Sequence, residues 1–199
     1  MKLYKWWAVF SKADMTKLRI DGAFVPVTLL KLLDQQILRF KTVETDGYSA
    51  IVIWVGKFTK WEKTSYKDVV EYRVKDDNLL SGYEIGQTIG TDILLGMKTI
   101  GLTTISKGKW FQWPMKRHNT HGMPATHGHK FTRVLWSMGN RKPRRTMRWH
   151  PGSWQMGLET TSLRSIKLVD MFDIEGKKYI AVKWSVPGWK NNTIKIYFH

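Results

Sequence analysis

The middle third of this chain, from residue 93 to residue 158, contains twelve lysines and arginines and no aspartate or glutamate. All 16 acidic residues of the 199-residue chain lie before or after this stretch. Dense charges of one sign repel each other, so such a stretch opposes its own compaction. We therefore expect residues 93–158 to be structured against a negatively charged surface outside the chain.

The overall charge narrows the choice of that partner. The chain has 33 basic and 16 acidic residues, a net charge of +17, which indicates nucleic acid or an anionic membrane. No apolar run is long enough to span a membrane, and no basic amphipathic helix stands out that would bind its surface. Nucleic acid is therefore the predicted partner, and we expect neither a membrane nor a small-molecule substrate.

The two ends of the chain have the pattern of β-strands. Asp46-Gly47 predicts a turn, and Asp173–Gly176 predicts a hairpin connection. Residues 65–74 have a weak helical period, for which we expect a short helix. Runs rich in β-branched and aromatic residues and bounded by Gly, Asp or Pro are typical of strands, and they occur at 23–33, 37–43, 48–56, 164–172, 177–186 and 193–199.

These patterns predict a mainly β fold with a short helical insertion. The strands would form one discontinuous β-domain from residues 1–105 and 159–199, with a small α/β insertion at about 57–80. Residues 106–158 show neither the helical nor the strand period of apolar residues, and Gly and Pro recur there. A loop of this length without its own core is uncommon in a compact domain. We predict that residues 106–158 form a long, irregular, basic extension loop.

The extension loop has too many aromatic residues for a solvated tail. Its lysines and arginines would contact phosphates, while tryptophans, Trp110 and Trp113 among them, would stack on bases or fill grooves. The aromatic residues are Trp110, Phe111, Trp113, Phe131, Trp136, Trp149 and Trp154.

Other kinds of site are poorly supported by the sequence. Four histidines have spacings that zinc accepts: His118, His121, His127 and His129. However, the chain has no cysteine, and no carboxylate lies near these histidines in the sequence. A catalytic dyad with His127 would lack an orienting carboxylate. We therefore predict no enzyme activity, no metal and no cofactor. A metal-dependent nuclease that uses the histidines is the rival in this class.

Several motifs resemble one known family, the universal large-subunit ribosomal protein three. The most specific are KGKWFQWPMKRH (107–118) and PATHG (124–128). Further matches follow in the same order along nearly the whole chain, at 11–30, 40–53, 82–89, 137–145, 154–161 and 185–192.

The resemblance implies a small β-barrel of the translation-protein type and a non-catalytic role. It also implies that the extension loop threads through ribosomal RNA toward the peptidyl transferase centre. The protein would brace large-subunit rRNA, support subunit assembly and contact neighbouring ribosomal proteins, including number fourteen. By position, the implied RNA contacts are Lys107, Lys109, Phe111, Lys116, Arg117, His118, Thr126, His127, Lys130 and Arg133, and the implied lining of the deep loop is Arg141, Lys142, Arg144, Arg145 and Arg148.

The chain departs from the family pattern by having tryptophan where the pattern has glycine, at 110, 113, 136, 149 and 154. One hypothesis is that the indoles fill volume left by trimmed rRNA. Such divergence favours an organellar ribosome, mitochondrial rather than plastid or bacterial cytoplasmic. The matched region begins near Met1, so we expect the chain to be organelle-encoded or already mature. The alternative function is a non-ribosomal RNA-binding module or RNA chaperone.

Overall fold

The computed structural model of the protein describes residues 8–60, 63–74 and 82–197. The chain divides into two compact units, Met1–Ile105 with Thr160–His199, and Ser106–Glu159. We call the first the barrel unit and the second the basic extension. The predicted mainly β fold is confirmed.

Six antiparallel strands of the barrel unit close into a barrel. Its ring order is β1, β11, β6, β9, β10 and β2, and β2 pairs back with β1. Closure removes the exposed strand edges that would otherwise pair with other chains. The strands are β1 (Val9–Ile20), β2 (Ala23–Leu32), β6 (Thr99–Ile105), β9 (Thr160–Ile174), β10 (Lys177–Lys183) and β11 (Thr193–Tyr197).

The barrel interior is filled by side chains that alternate along these strands. In β11, Ile194 and Ile196 are fully buried and pack with Phe10, Leu30 and Leu102. Burial of branched and aromatic side chains contributes about 1.5–3 kcal/mol for each residue. This core is apolar and closed, so function must be sought on the outside of the barrel or in the basic extension.

A second sheet in the barrel unit has the order β3 (Gln35–Lys41), β4 (Ala50–Lys60) and β5 (Lys63–Arg73). Its own core includes Ile37, Ile53 and Val70. One helical turn, α1 (Val43–Asp46), connects β3 to β4 and ends at Gly47, whose φ of 77° is the left-handed conformation of a helix C-cap. The predicted turn at Asp46-Gly47 is therefore the end of this helical turn.

The predicted helix at 65–74 is wrong, because residues 65–73 belong to β5. Val70 and Tyr72 are buried, whereas Val69 and Glu71, which alternate with them, are exposed. That alternation is the period of a strand, and Val70 pairs with Ile53 of β4. The adjacent valines hid the alternation in the sequence, and the decisive pairing comes from a distant segment.

The other predicted strands are confirmed, with shifted ends. The predicted strand at 193–199 is β11, and its last two residues lie outside the described residues. The hairpin connection between β9 and β10 is a two-residue turn, Glu175-Gly176, because Ile174 pairs directly with Lys177. Both turn residues have positive φ, 53° and 70°, as a type I′ turn requires.

Burial of Tyr72 predicts a loss of stability at high pH. Burial, helped by the charge of Asp68, raises the pKa of the Tyr72 phenol well above its ordinary value of 10. In the unfolded chain this phenol ionises near pH 10, so its contribution to stability is complete below pH 10 and is lost as the pH rises above it. We expect the free energy of unfolding to fall by roughly 1.4 kcal/mol per pH unit there.

Denaturant titrations between pH 9 and 12 would measure this slope. Tyr72→Phe removes the ionising group while keeping the ring, so its slope is expected to be shallower by that amount. Parallel curves for the two proteins would contradict the assignment of the effect to Tyr72.

Candidate nucleic-acid interface

The basic extension starts and returns as two adjacent backbone segments. The amide of Ser106 donates to the carbonyl of Glu159 at 2.9 Å, and the amide of Lys109 donates to the carbonyl of Met156 at 2.8 Å. The Met156 amide in turn donates to the carbonyl of Trp110 at 3.0 Å. A short antiparallel pair continues this ladder, formed by β7 (Phe111–Gln112) and β8 (Trp154–Gln155).

A short helix, α2 (Pro114–His118), follows this ladder. Pro114 occupies the first turn, where its missing amide proton has no cost. Lys116, Arg117 and His118 occupy the last turn, where positive charge favours the helix dipole. The left-handed residue Asn119, with φ 55°, ends the helix. The helix therefore places three consecutive predicted RNA contacts on one turn.

Arg117 differs from the other predicted contact residues because it is half-buried. Its Nη1 donates to the carbonyl of Gly152 at 3.0 Å and lies 2.9 Å from Nε2 of His118. The side chain thus links α2 to the returning segment of the extension. The sequence predicted an RNA contact here and gave no signal of this internal role.

Between α2 and β8 the extension has no regular helix or strand. The Met123 amide donates to the carbonyl of Thr132 at 3.1 Å, which draws two parts of this loop together. The predicted contact residues of the extension, apart from Arg117, are exposed: Lys107, Lys109, Trp110, Phe111, Trp113, Lys116, His118, Thr126, His127, Lys130, Arg133, Arg141, Lys142, Arg144, Arg145 and Arg148.

The cations of the extension lie in a part of the sequence that has no carboxylate, residues 93–158. The ion pairs of the described residues are Lys41–Glu71, Lys178–Asp92 and Lys190–Asp14, all within the barrel unit. By contrast, the eleven lysines and arginines between 107 and 148 lie in a segment without a carboxylate. Exposed cations of this density produce a strong positive potential that attracts a polyanion.

Exposed aromatic residues are interleaved with these cations along the sequence. Phe111 and Trp113 meet edge to face, with ring centroids 5.8 Å apart. Trp110, Phe111 and Trp154 line one open groove together with Leu158. Exposed rings next to cations are the combination that single-stranded RNA binders use.

Three tryptophans have an unusual backbone conformation. Trp110, Trp149 and Trp184 have φ values of 58°, 65° and 74°. The left-handed region costs a residue with a Cβ about 1–2 kcal/mol, and it is a genuine outlier for a bulky side chain. Trp110 and Trp149 are among the positions where the sequence pattern led us to expect glycine, and Trp184 was not.

Among the described residues, no group of three His, Asp or Glu side chains lies close enough together to hold a metal ion. Nδ1 of His129 lies 3.1 Å from the carbonyl of Phe131.

The helices described in the structure are too short or too polar to cross a bilayer.

Comparison with curated proteins finds relatives along nearly the whole chain. Large ribosomal subunit protein uL3 of Borrelia hermsii is 35% identical over 194 residues, which cover 92% of each chain. The uL3 protein of Borreliella burgdorferi is 34% identical and covers 93% of this chain, and that of Hydrogenobaculum is 33% identical and covers 88%. No protein-family model matches the chain.

Proposed function

Because this chain belongs to the uL3 family of large ribosomal subunit proteins, we propose that its basic extension is the element that binds large-subunit rRNA. The family makes the protein a structural, non-enzymatic constituent of the large subunit. One observation carries the further step: residues 106–158 of the extension hold eleven cations and no carboxylate, and nearly all of these cations are exposed.

The proposed contacts follow from charge and exposure. Lysine and arginine side chains would contact phosphates, which supply most of the affinity in complexes of this kind. Phe111, whose ring is half exposed and meets Trp113 edge to face, would stack on a base. Positions 110 and 113 lie on either side of it and would touch the same RNA strand. The proposed cationic contacts are Lys107, Lys109, Lys116, Lys130, Arg133, Arg141, Lys142, Arg144, Arg145 and Arg148, with His118, Thr126 and His127 as polar contacts.

Arg117 is part of the proposed interface because it positions α2. Its link to Gly152 fixes α2 against the returning segment, which orients Lys116 and His118.

The resemblance supports three finer points of the proposal: that the extension reaches toward the peptidyl transferase centre, that the protein acts in subunit assembly, and that protein number fourteen is a neighbour.

A mitochondrial ribosome is a separate proposal about the source. It rests only on the tryptophans at 110, 113, 136, 149 and 154, where the family pattern has glycine, and it loses this support at any of these positions where the natural protein has glycine. The relatives named above are all bacterial. Fractionation of source cells, with an antibody against this chain, would locate it in organellar or cytoplasmic ribosomes.

The proposed RNA contact predicts a steep dependence of affinity on salt. If eight cations of the extension contact phosphates, log affinity should fall with log salt concentration with a slope of roughly −6 to −7, at about 0.7–0.9 per contact. The measurement is a binding titration of the full chain with large-subunit rRNA between 50 and 300 mM salt, over which screening of exposed charges increases. A slope near −1 would show that the extension is not the main binding element.

Cosedimentation tests the ribosomal assignment against the alternative of a non-ribosomal RNA chaperone. Lysates of source cells would be centrifuged through sucrose in high salt and probed for this chain. We expect it to remain with large subunits because contacts buried inside an assembled particle are screened by salt much less than exposed ones. Recovery in the free fraction, with the RNA affinity retained, would favour the chaperone.

A further inference from the structure

Ten described residues other than glycine have positive φ. Leu158, Ser165 and Glu175 are single instances of their residue types, and the other seven fall into two groups. The first group consists of residue types that adopt this conformation more readily than most: Asp21, Asn119, His127 and Asn191. The second contains three tryptophans, Trp110, Trp149 and Trp184. Only a few per cent of non-glycine residues have positive φ, yet three of the eight described tryptophans do. Their shared conformation requires an explanation.

The indole rings do not provide that explanation. Trp149 is 97% exposed, Trp110 is 87% exposed and Trp184 is 60% exposed, so little burial offsets the unfavourable backbone. Trp54 shows the usual behaviour, because it is only 8% exposed and is not among the residues with positive φ. Large rings gain stability when they are buried, and these three gain little of it.

By contrast, hydrogen bonds from surrounding residues to the main chain hold the backbone at Trp184 and Trp110. The Trp184 amide donates to the carbonyl of Pro26 at 2.9 Å, and the Trp184 carbonyl accepts from Oγ1 of Thr28 at 2.7 Å. The Trp110 carbonyl accepts from the Met156 amide. Trp149 lies in the turn closed by the bond from the His150 amide to the Met147 carbonyl. Where neighbouring residues hold the backbone at positive φ, glycine is the residue that adopts the conformation without a steric cost.

We propose that positions 110, 149 and 184 are glycine sites of this fold, and that the source cell inserts glycine at them. The codon would be UGA, which some genetic codes read as tryptophan and others read as glycine. The argument rests on backbone geometry and exposure, and it is independent of RNA binding, since Trp184 belongs to the barrel unit. At 110 and 149, glycine would also let RNA approach the main chain closely.

The mass of the natural protein tests this proposal directly. The chain would be isolated from ribosomes of the source cells, digested with trypsin, and the peptides that contain positions 110, 149 and 184 sequenced by mass spectrometry. We expect each to be lighter by the difference between an indolylmethyl group and a hydrogen atom, and the gene to have UGA at all three codons. A tryptophan-mass peptide at any of the three positions overturns the proposal. It would favour the rival explanation, in which indoles fill volume left by trimmed rRNA.

A variant pair tests the backbone argument in the recombinant full chain. Trp184→Gly and Trp184→Ala both remove the indole, but only glycine is free of the cost of a Cβ at positive φ. We expect the glycine variant to have a folding equilibrium constant about 5–30-fold higher than the alanine variant, measured by denaturant titration. Equal constants, or a more stable alanine variant, overturn the assignment of position 184 as a glycine site.

Discussion

Replacement of Arg144, Arg145 and Arg148 by alanine is expected to lower the affinity for large-subunit rRNA roughly a hundredfold at 0.1 M salt. The three side chains are exposed and lie in a segment without carboxylates. Each phosphate contact that is lost removes about 0.7–0.9 from the slope of log affinity against log salt. The slope should therefore become less negative by about 2–3. Binding titrations at several salt concentrations would measure both quantities, with circular dichroism reporting the fold.

The matched control removes the same charge from the barrel unit. Arg164, Lys167 and Lys177 are exposed residues of β9 and β10, and their replacement by alanine also lowers the net charge by three. We expect a smaller loss of affinity from this variant because mixed charges surround these residues. Equal losses would move the main RNA-binding surface to the barrel. Unfolding of the barrel in the first variant would show that the arginines are structural.

Replacement of Leu94 by alanine is expected to lower the free energy of unfolding by about 2–5 kcal/mol. Leu94 is fully buried and packs with Phe10, Leu30 and Ile100 in the barrel core. It ends a 3₁₀ turn, Asp92–Leu94, whose backbone bonds hold it in place. The surrounding strands cannot close the cavity that alanine leaves, because the closed ring limits their movement. Guanidinium titration followed by circular dichroism would measure the loss.

The next residue supplies the control. Leu95 is 65% exposed, so Leu95→Ala removes the same atoms with little change in burial and should alter the free energy of unfolding by at most about 0.5 kcal/mol. Similar losses for the two variants would contradict the placement of Leu94 in the core. Rates of RNA binding should be unchanged in both variants when they are measured under conditions where each is folded.

Most strands of the barrel unit were predictable from the sequence because they carry their own signal. Alternation in β11 and the β-branched run of β4 both mark buried faces that do not depend on knowing the partner strand. The segment 65–74 misled the prediction for the opposite reason. Its adjacent valines suit a helix or a strand, and the choice is made by pairing with β4, which the local sequence does not contain.

Lys12 shows where sequence reasoning fails entirely. Its Nζ is buried and donates to the carbonyl of Val186 at 2.6 Å, a residue more than 170 positions away. Nothing near Lys12 distinguishes it from the solvated lysines of the chain. Such a bond exists only because the fold brings the two ends together, so it can be found only in the structure.

The basic extension was visible in the sequence because unbalanced charge is a property of composition. Its internal geometry was not. The bond from Arg117 to Gly152 joins residues that the loop brings together, and the left-handed conformation of Trp184 is imposed by Pro26 and Thr28. Both depend on neighbours that are remote along the chain, and the residue types themselves argue against these roles.

The position of β11 in the ring has a consequence for biosynthesis. β11 is the last strand described and it is the one that joins β1 to β6, so a nascent chain holds two unsatisfied strand edges until residues 193–197 leave the exit tunnel. By then the basic extension, inserted between β6 and β9, has already emerged and can meet RNA. Polypeptides that stall before residue 193 should consequently self-associate through those edges, and quality control of translation would have to remove them.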